Sequence, residues 1–266
     1  MHYLSQSISR NFLKQGSPQT FYEYDYTDGV FRTKNIKRLF ASYKPWGQVF
    51  ETILSGKLYE DSLAPLLRDL SSLPIEKYHV IGKNSMEERQ FNGIPIENEN
   101  QVNLLNKLIL QTVLFQRSNE SPDSKTEDML SQIYASHFDL GYKIALLEIN
   151  PLYPSQPMLL IDNMPFIFLC PDTKKANSRH ACFMFPISER RFLLWVSFGQ
   201  DIDFFCMKYR NITYLNLCRI EQQNFQCRIA LAQNTHNQNY LKFLVASSKN
   251  FNSHELNPIS AQRDWI

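Results

Sequence analysis

Two clusters carry the side chains best suited to holding phosphate. Ser188-Glu189-Arg190-Arg191 sets two arginines side by side between apolar runs, and planar guanidinium groups grip phosphate through paired donors. A charged turn joining two strands accounts for the same residues. The second cluster is Arg32, Lys34, Lys37, Arg38 and Lys44, interleaved with Phe31, Phe40, Tyr43 and Trp46. Aromatic rings stack bases while cations neutralise phosphates. A solvated hairpin face with core aromatics uses the same letters, so both readings stand. Arg32, Lys34, Lys37, Arg38, Arg190 and Arg191 are the candidate nucleic-acid or phosphate-binding residues.

Little other chemistry is spelled out by spacing. The six histidines, His2, His79, His137, His180, His236 and His254, are dispersed, with no two at metal-ligand spacing. His137 stands two residues before Asp139 and faces either a cleft or solvent on a helix. With eight glycines in the chain there is no G-x-G-x-x-G, no G-x-x-x-x-G-K-[ST] and no G-x-S-x-G; phosphate cradles and a hydrolase elbow lose their usual supports. The five cysteines, Cys170, Cys182, Cys206, Cys218 and Cys227, are odd in number and contain no C-x-x-C. They read as small buried hydrophobes in a reducing compartment, not as a disulfide framework or a zinc knuckle.

The elements that would position these groups follow from hydrophobic period. Phe21 to Tyr26 alternates aromatic and acidic residues, Asp28-Gly29 signals a tight turn, and Val30 to Thr33 returns, which predicts a β-hairpin. Helical spacing runs from Val49 through Leu58 to Leu70, with Gly56 as a joint and Pro74 as the stop. The polar stretch 82–100 reads as a loop. A helix carries Val102, Leu105, Leu108, Ile109, Val113 and Leu114, and 118–125 is a turn-rich connector. Glu127 to Ile149 reads as a long helix ended by Pro151, Pro154 and Pro157. Strands are expected over Met158–Asp162, Phe166–Leu169, Cys182–Phe185 and Phe192–Phe198, then a helix over Ile212–Ala232 and a last strand over Tyr240–Ala246. Strands segregated from helices predict an α+β fold, with the N-terminal hairpin and the C-terminal antiparallel strands packed against a central helical block.

Length and composition set the frame. The chain has 266 residues, 43% of them apolar and 13% aromatic, enough for one sizeable core, so 1–266 is expected to be a single domain with a loose tail over 247–266. A net charge of +2 argues against bulk electrostatic binding of nucleic acid and leaves room for a local basic patch. The N-terminus shows no apolar signal segment, and no apolar run approaches the roughly 20 residues of a membrane helix. A cytoplasmic location without membrane contact is the expectation.

Several stretches, in order, resemble a large prokaryotic family of domains of unknown function, number four-two-three-eight. His2-Tyr3-Leu4-Ser5-Gln6 followed by Arg10-Asn11-Phe12 resembles its opening H-Y-x-P-Q…L-x-N-F. Phe21 to Val30 resembles its aromatic hairpin, and Glu60 in the segment Phe50 to Leu67 its helix glutamate. Leu160 to Phe166 resembles its S-D-x-P-V strand end, Phe185-Pro186-Ile187-Ser188 its F-P-L-S step, and Leu215-Asn216 the L-N pair of its late helix. The chain departs from the pattern at Ser5, at Ser9, at Ile161, and in the extra residue between Asp162 and Pro165.

The family carries no settled reaction, so the resemblance implies candidate catalytic positions without a mechanism: His2, Glu60 and Asp162. A histidine with two carboxylates suits general acid–base work or a divalent metal, as in metal-assisted phosphodiester hydrolysis. The same residues could equally pin the first strand, pair with a neighbouring cation and cap a turn. Two functions follow. One is a metal-assisted hydrolase, a nuclease or nucleotide phosphodiesterase, in a defence or toxin context. The other is a non-enzymatic binding or regulatory module of a toxin–antitoxin or phage-defence system, with a protein partner.

Overall fold

The structure, a computed structural model, describes residues 6–13, 19–39, 57–75, 91–106, 108, 143–149, 159–161, 167–169, 182–196, 217, 227–233 and 235–250. In chain order these form α1 (Gln6–Arg10), β1 (Thr20–Asp25), β2 (Val30–Asn35), a 3-10 turn (Ile36–Arg38) and α2 (Lys57–Ser72). Then come β3 (Phe91–Ile96), a helical segment α3 over 99–106, β4 (Lys143–Ile149), β5 (Leu160–Ile161) and β6 (Ile167–Leu169). The chain continues with β7 (Cys182–Pro186), β8 (Arg191–Val196), β9 (Arg228–Ala232) and α4 (Thr235–Lys249). All strand pairings among the described residues are antiparallel. The strands make one sheet in the order β2-β1-β9-β5 and another in the order β3-β4-β8-β7-β6, which is an α+β architecture.

The first hairpin forms where alternation predicts it. Its loop, Tyr26 to Gly29, is closed by the Gly29 N–H donating to the Asp25 carbonyl at 2.8 Å, with Gly29 at φ +70°. Only that glycine is asked for the left-handed conformation. The side chains of Asp25 and Asp28 accept from the amides of Thr27 and Val30 at 2.9 and 3.0 Å, so the turn is held by its own acids. Period two then sorts β1. Tyr22 and Tyr24 face α4 in a cluster with Ile229, Leu231, Tyr240, Leu241, Leu244 and Val245. Phe21 belongs to a second cluster with Ala230, Leu160 and most of the five-stranded sheet.

The five-stranded sheet is buried on both faces at its centre. Four successive residues of β4, Ile144 to Leu147, and four of β8, Phe192 to Trp195, are buried. Residues paired across the ladder share a face, so Arg191, Leu193 and Trp195 stand with Glu148, Leu146 and Ile144. On this face Arg191 bonds the Leu70 carbonyl of α2 and Trp195 bonds Asn106 of α3. Helix α2 lays Leu63, Leu66, Leu67 and Leu70 into the same core and keeps Pro65 on its exposed side.

Five expectations are corrected here. Residues 143–149 lie in a strand, not at the end of a helix, because a strand buried on both faces reads as a continuous apolar run that period cannot tell from a helix. Arg228–Ala232 is likewise strand β9 and not the end of a helix. Tyr240–Ala246 is helical: its buried set Tyr240, Leu241, Leu244, Val245 and Ser248 has the three-and-four spacing of an amphipathic helix, which aromatic and β-branched letters disguised. Helix α4 continues to Lys249, past the start of the expected tail. The polar stretch 82–100 contains β3, an edge strand that tolerates Pro95 because edge positions need not donate to a ladder. Residues 41–56, 109–142, 251–266 and most of 211–226 lie outside the described residues.

Gly93 of β3 is there for space. A Cβ added to it would overlap the Leu147 Cδ2 atom and stand 3.1 Å from the Leu146 carbonyl oxygen. Leu147 is buried, so its displacement is transmitted into a close-packed core. Gly93→Ala is expected to lower stability by about 1–3 kcal/mol, measured as a shift in the urea midpoint with unchanged slope.

Candidate nucleic-acid interface

Strand β2 separates what its sequence interleaves. Phe31 points to the α4 face, stacked on Tyr22 with centroids 5.4 Å apart and tilted against Tyr24 at 4.5 Å. Arg32 and Lys34, one residue out of phase, stand on the opposite face across from Glu23 and Phe21. Within β2 the ring and the two cations therefore lie on opposite faces, as the period of a strand dictates.

Arg32 is engaged within its own hairpin. Its guanidinium pairs with Asp28 and lies 3.7 Å from Asp25. The hydrogen bond from Arg32 holds the Asp28 carboxyl below the usual carboxylate range, and Asp28 in turn raises Arg32. Lys34, Lys37 and Arg38 differ. Among the described residues no carboxylate pairs with any of them. Lys37 and Arg38 are exposed on the 3-10 turn, whose start is fixed by the Asn35 side chain accepting from the Lys37 amide at 3.0 Å. Ile36 and Leu39 anchor that turn in the core, so these cations project from a rigid base.

The arginine pair is split between two environments. Ser188 closes the β7–β8 turn, its hydroxyl accepting from the amides of Arg190 and Arg191 at 3.3 and 3.0 Å. Arg190 is exposed. Arg191 lies against Glu148, with Nε and Nη2 at 2.7 and 2.5 Å from the same Oε2, and Nη1 donates to the Leu70 carbonyl at 2.9 Å. Its fork is occupied by a structural bond. Between them Glu189 turns inward, 7% exposed, and accepts from Asn237 Nδ2 at 3.1 Å. Asn237 is in the first turn of α4, which carries no acidic residue of its own; Glu189 brings a negative charge to that positive helix end from the other sheet.

Two cations not singled out by sequence join the surface. Lys242 Nζ sits 5.8 Å from the Phe31 ring centroid, and Lys249 Nζ lies 5.6 and 6.0 Å from those of Tyr24 and Tyr26. The available signal was their seven-residue spacing, which puts both on one side of a helix; it was missed because Lys242 read as part of a strand and Lys249 as part of the tail.

The three positions implied by the resemblance are only partly in view. Glu60 is in the first turns of α2, with its side chain outside the described residues. His2, four residues before α1, and Asp162, directly after β5, also lie outside them, as do Lys44, Phe40, Tyr43, Trp46, His79, His137, His180 and His254. Cys227 is buried against α4; Cys170, Cys206 and Cys218 are not described. Among the described residues no three His, Cys, Asp or Glu side chains form a metal-holding group, and no helix is long and apolar enough to cross a membrane. No family model, curated protein or solved structure matches the chain.

Proposed function

We propose that the protein is a metal-assisted hydrolase of nucleic acid or nucleotides, a nuclease or phosphodiesterase with His2, Glu60 and Asp162 as its acid–base or metal-ligating groups. The setting proposed with this reading is cytoplasmic phage defence or toxicity. One observation carries it. The elements next to the three candidate positions meet in a single apolar cluster: Ile8 of α1, Leu63 of α2 and Leu160 of β5 share one core. Residues 2, 60 and 162 are far apart in sequence, and they fall four residues before α1, within α2 and directly after β5, which supports an assembled site. A divalent ion held there would polarise a phosphoryl oxygen or activate water. The half-buried Lys34 and the exposed Lys37 and Arg38 suit a polyanionic substrate.

The test is cleavage of labelled single-stranded RNA and DNA with Mg²⁺ or Mn²⁺ by the wild type and by His2→Ala, Glu60→Ala and Asp162→Ala. Each variant is expected to lose about 10²–10⁴ in rate, the range for a catalytic acid or base, with its thermal midpoint retained. Equal rates for all four, or no cleavage by any, would sink the reading. Binding without cleavage would favour the non-enzymatic module of a toxin–antitoxin or phage-defence pair, which the same cations support.

A further inference from the structure

We infer that a single strand of nucleic acid runs along the β2 edge of the four-stranded sheet, gripped by Lys34, Lys37 and Arg38 on one side and Lys242 and Lys249 on the other. The inference rests on the nucleic-acid reading above and names where that substrate lies. Among the described strands β2 ends its sheet. The cations reach this edge from three separate elements. Lys34 projects from β2 itself, Lys37 and Arg38 from the 3-10 turn that continues it, and Lys242 and Lys249 from α4 on the other face.

Charge complementarity selects the occupant. The acids at this edge, Asp25 and Asp28, are turned onto Arg32. Among the described residues Lys34, Lys37, Arg38 and Lys242 meet no carboxylate, so the net field along the seam is positive in a chain whose total charge is only +2. A line of cations matches a line of phosphates. Residues two apart on β2 are separated by roughly 6–7 Å, and Lys242 and Lys249 by about 10 Å along their helix. That is a narrow track, suited to one extended strand and not to a duplex.

Rings supply the second requirement of a single-strand site, a face on which bases stack. Phe31 and Tyr26 are only half-buried: each packs on the Tyr22–Tyr24 cluster, and each has a lysine ammonium about 6 Å from its ring centroid. A lysine stem is long and flexible. Swinging the ammonium from ring to phosphate uncovers the ring for a base, so the same residue serves both contacts.

The experiment is fluorescence anisotropy of labelled oligo(dT), oligo(rU) and a duplex with the full chain, in chelator so that binding alone is read. Lys34→Ala/Lys242→Ala is compared with Arg68→Ala, an exposed cation on α2. The double variant is expected to weaken single-strand binding roughly tenfold and to reduce the slope of log K against log salt by about 1.4, at about 0.7 for each phosphate no longer neutralised. Arg68→Ala should change neither. Lys242→Glu guards against compensation by neighbouring lysines and should weaken binding further. Equal affinities across these variants, or duplex bound more tightly than either single strand, would overturn the seam. If seam variants lose binding while the wild type cleaves nothing, the hydrolase reading fails and the seam stands. If the wild type cleaves and the seam variants bind and cleave like it, the seam fails and the hydrolase stands.

Discussion

Trp195→Ala is expected to cost about 3–5 kcal/mol, the range for emptying a large aromatic site in a core, and so to remove much of the roughly 5–15 kcal/mol that holds a typical domain folded. Trp195 is 0% exposed on β8, beside Leu193, Ile144 and Leu146 on the helix-facing side of the five-stranded sheet. Its neighbours are committed to a ladder on both edges, β4 on one side and β7 on the other. They cannot close over a cavity without breaking strand pairing, which is why the upper part of the range applies. The indole also donates to Asn106 Oδ1 at 3.1 Å. Trp195→Phe keeps most of the volume and removes that donor, so about 1–2 kcal/mol is expected, near the net value of one hydrogen bond plus a small void. Urea unfolding followed by far-ultraviolet circular dichroism reads both. Equal losses for the two variants would mean that the bond to α3, and not cavity formation, dominates at this site.

How much of this was legible depended on whether a segment shows its two faces differently. The β1–β2 hairpin was readable because Tyr22 and Tyr24 alternate with Glu23 and Asp25, and because Asp28-Gly29 supplies the one left-handed residue the loop needs. Helix α2 was readable from Leu63, Leu66, Leu67 and Leu70, whose spacing is unambiguous even with Pro65 among them. Strand β4 was not, since Ile144 to Leu147 are buried in succession and carry no period. Helix α4 failed for the opposite reason. Its period was present, but Phe243, 65% exposed, sits among Tyr240, Leu241, Leu244 and Val245 and made the run look uniformly apolar. The candidate interface suffered with it. Lys242 and Lys249 can be placed beside Phe31 and Tyr24 only once their segment is a helix and β1 is known to pair with β9. The adjacent arginines showed a different limit: composition identifies two guanidinium groups, but the bond that Arg191 makes is settled by residue 148, more than forty positions away and in a segment read as helix.

That partner and the Leu70 carbonyl tie Arg191 to β4 and α2 at once. Arg191→Ala is expected to lower stability by roughly 2–3 kcal/mol, between the ~0.2–1 of an exposed pair and the ~3–5 of a broken buried one. The intermediate figure follows from side-chain exposures of 12% for Arg191 and 22% for Glu148. The loss has two parts. Glu148 keeps its charge with its guanidinium gone, and the Leu70 carbonyl loses its donor. Helix α2 has no basic residue in its last turn, so the guanidinium from β8 is what meets its negative end. Removing it loosens α2 against the sheet as well as β8 against β4. Three further variants separate these parts. Glu148→Gln leaves the bond to Leu70 in place and is expected to cost less, about 1–2 kcal/mol. The double variant Arg191→Ala/Glu148→Gln should recover part of the sum, because the stranded carboxylate is gone. Arg191→Lys should fall near Arg191→Ala, since an ammonium cannot reach a carboxylate and a helix carbonyl at once as the planar fork does. Chemical unfolding of the four variants gives the coupling energy directly. A coupling near zero, with Arg191→Ala costing no more than a surface substitution, would show that the bridge contributes nothing to stability.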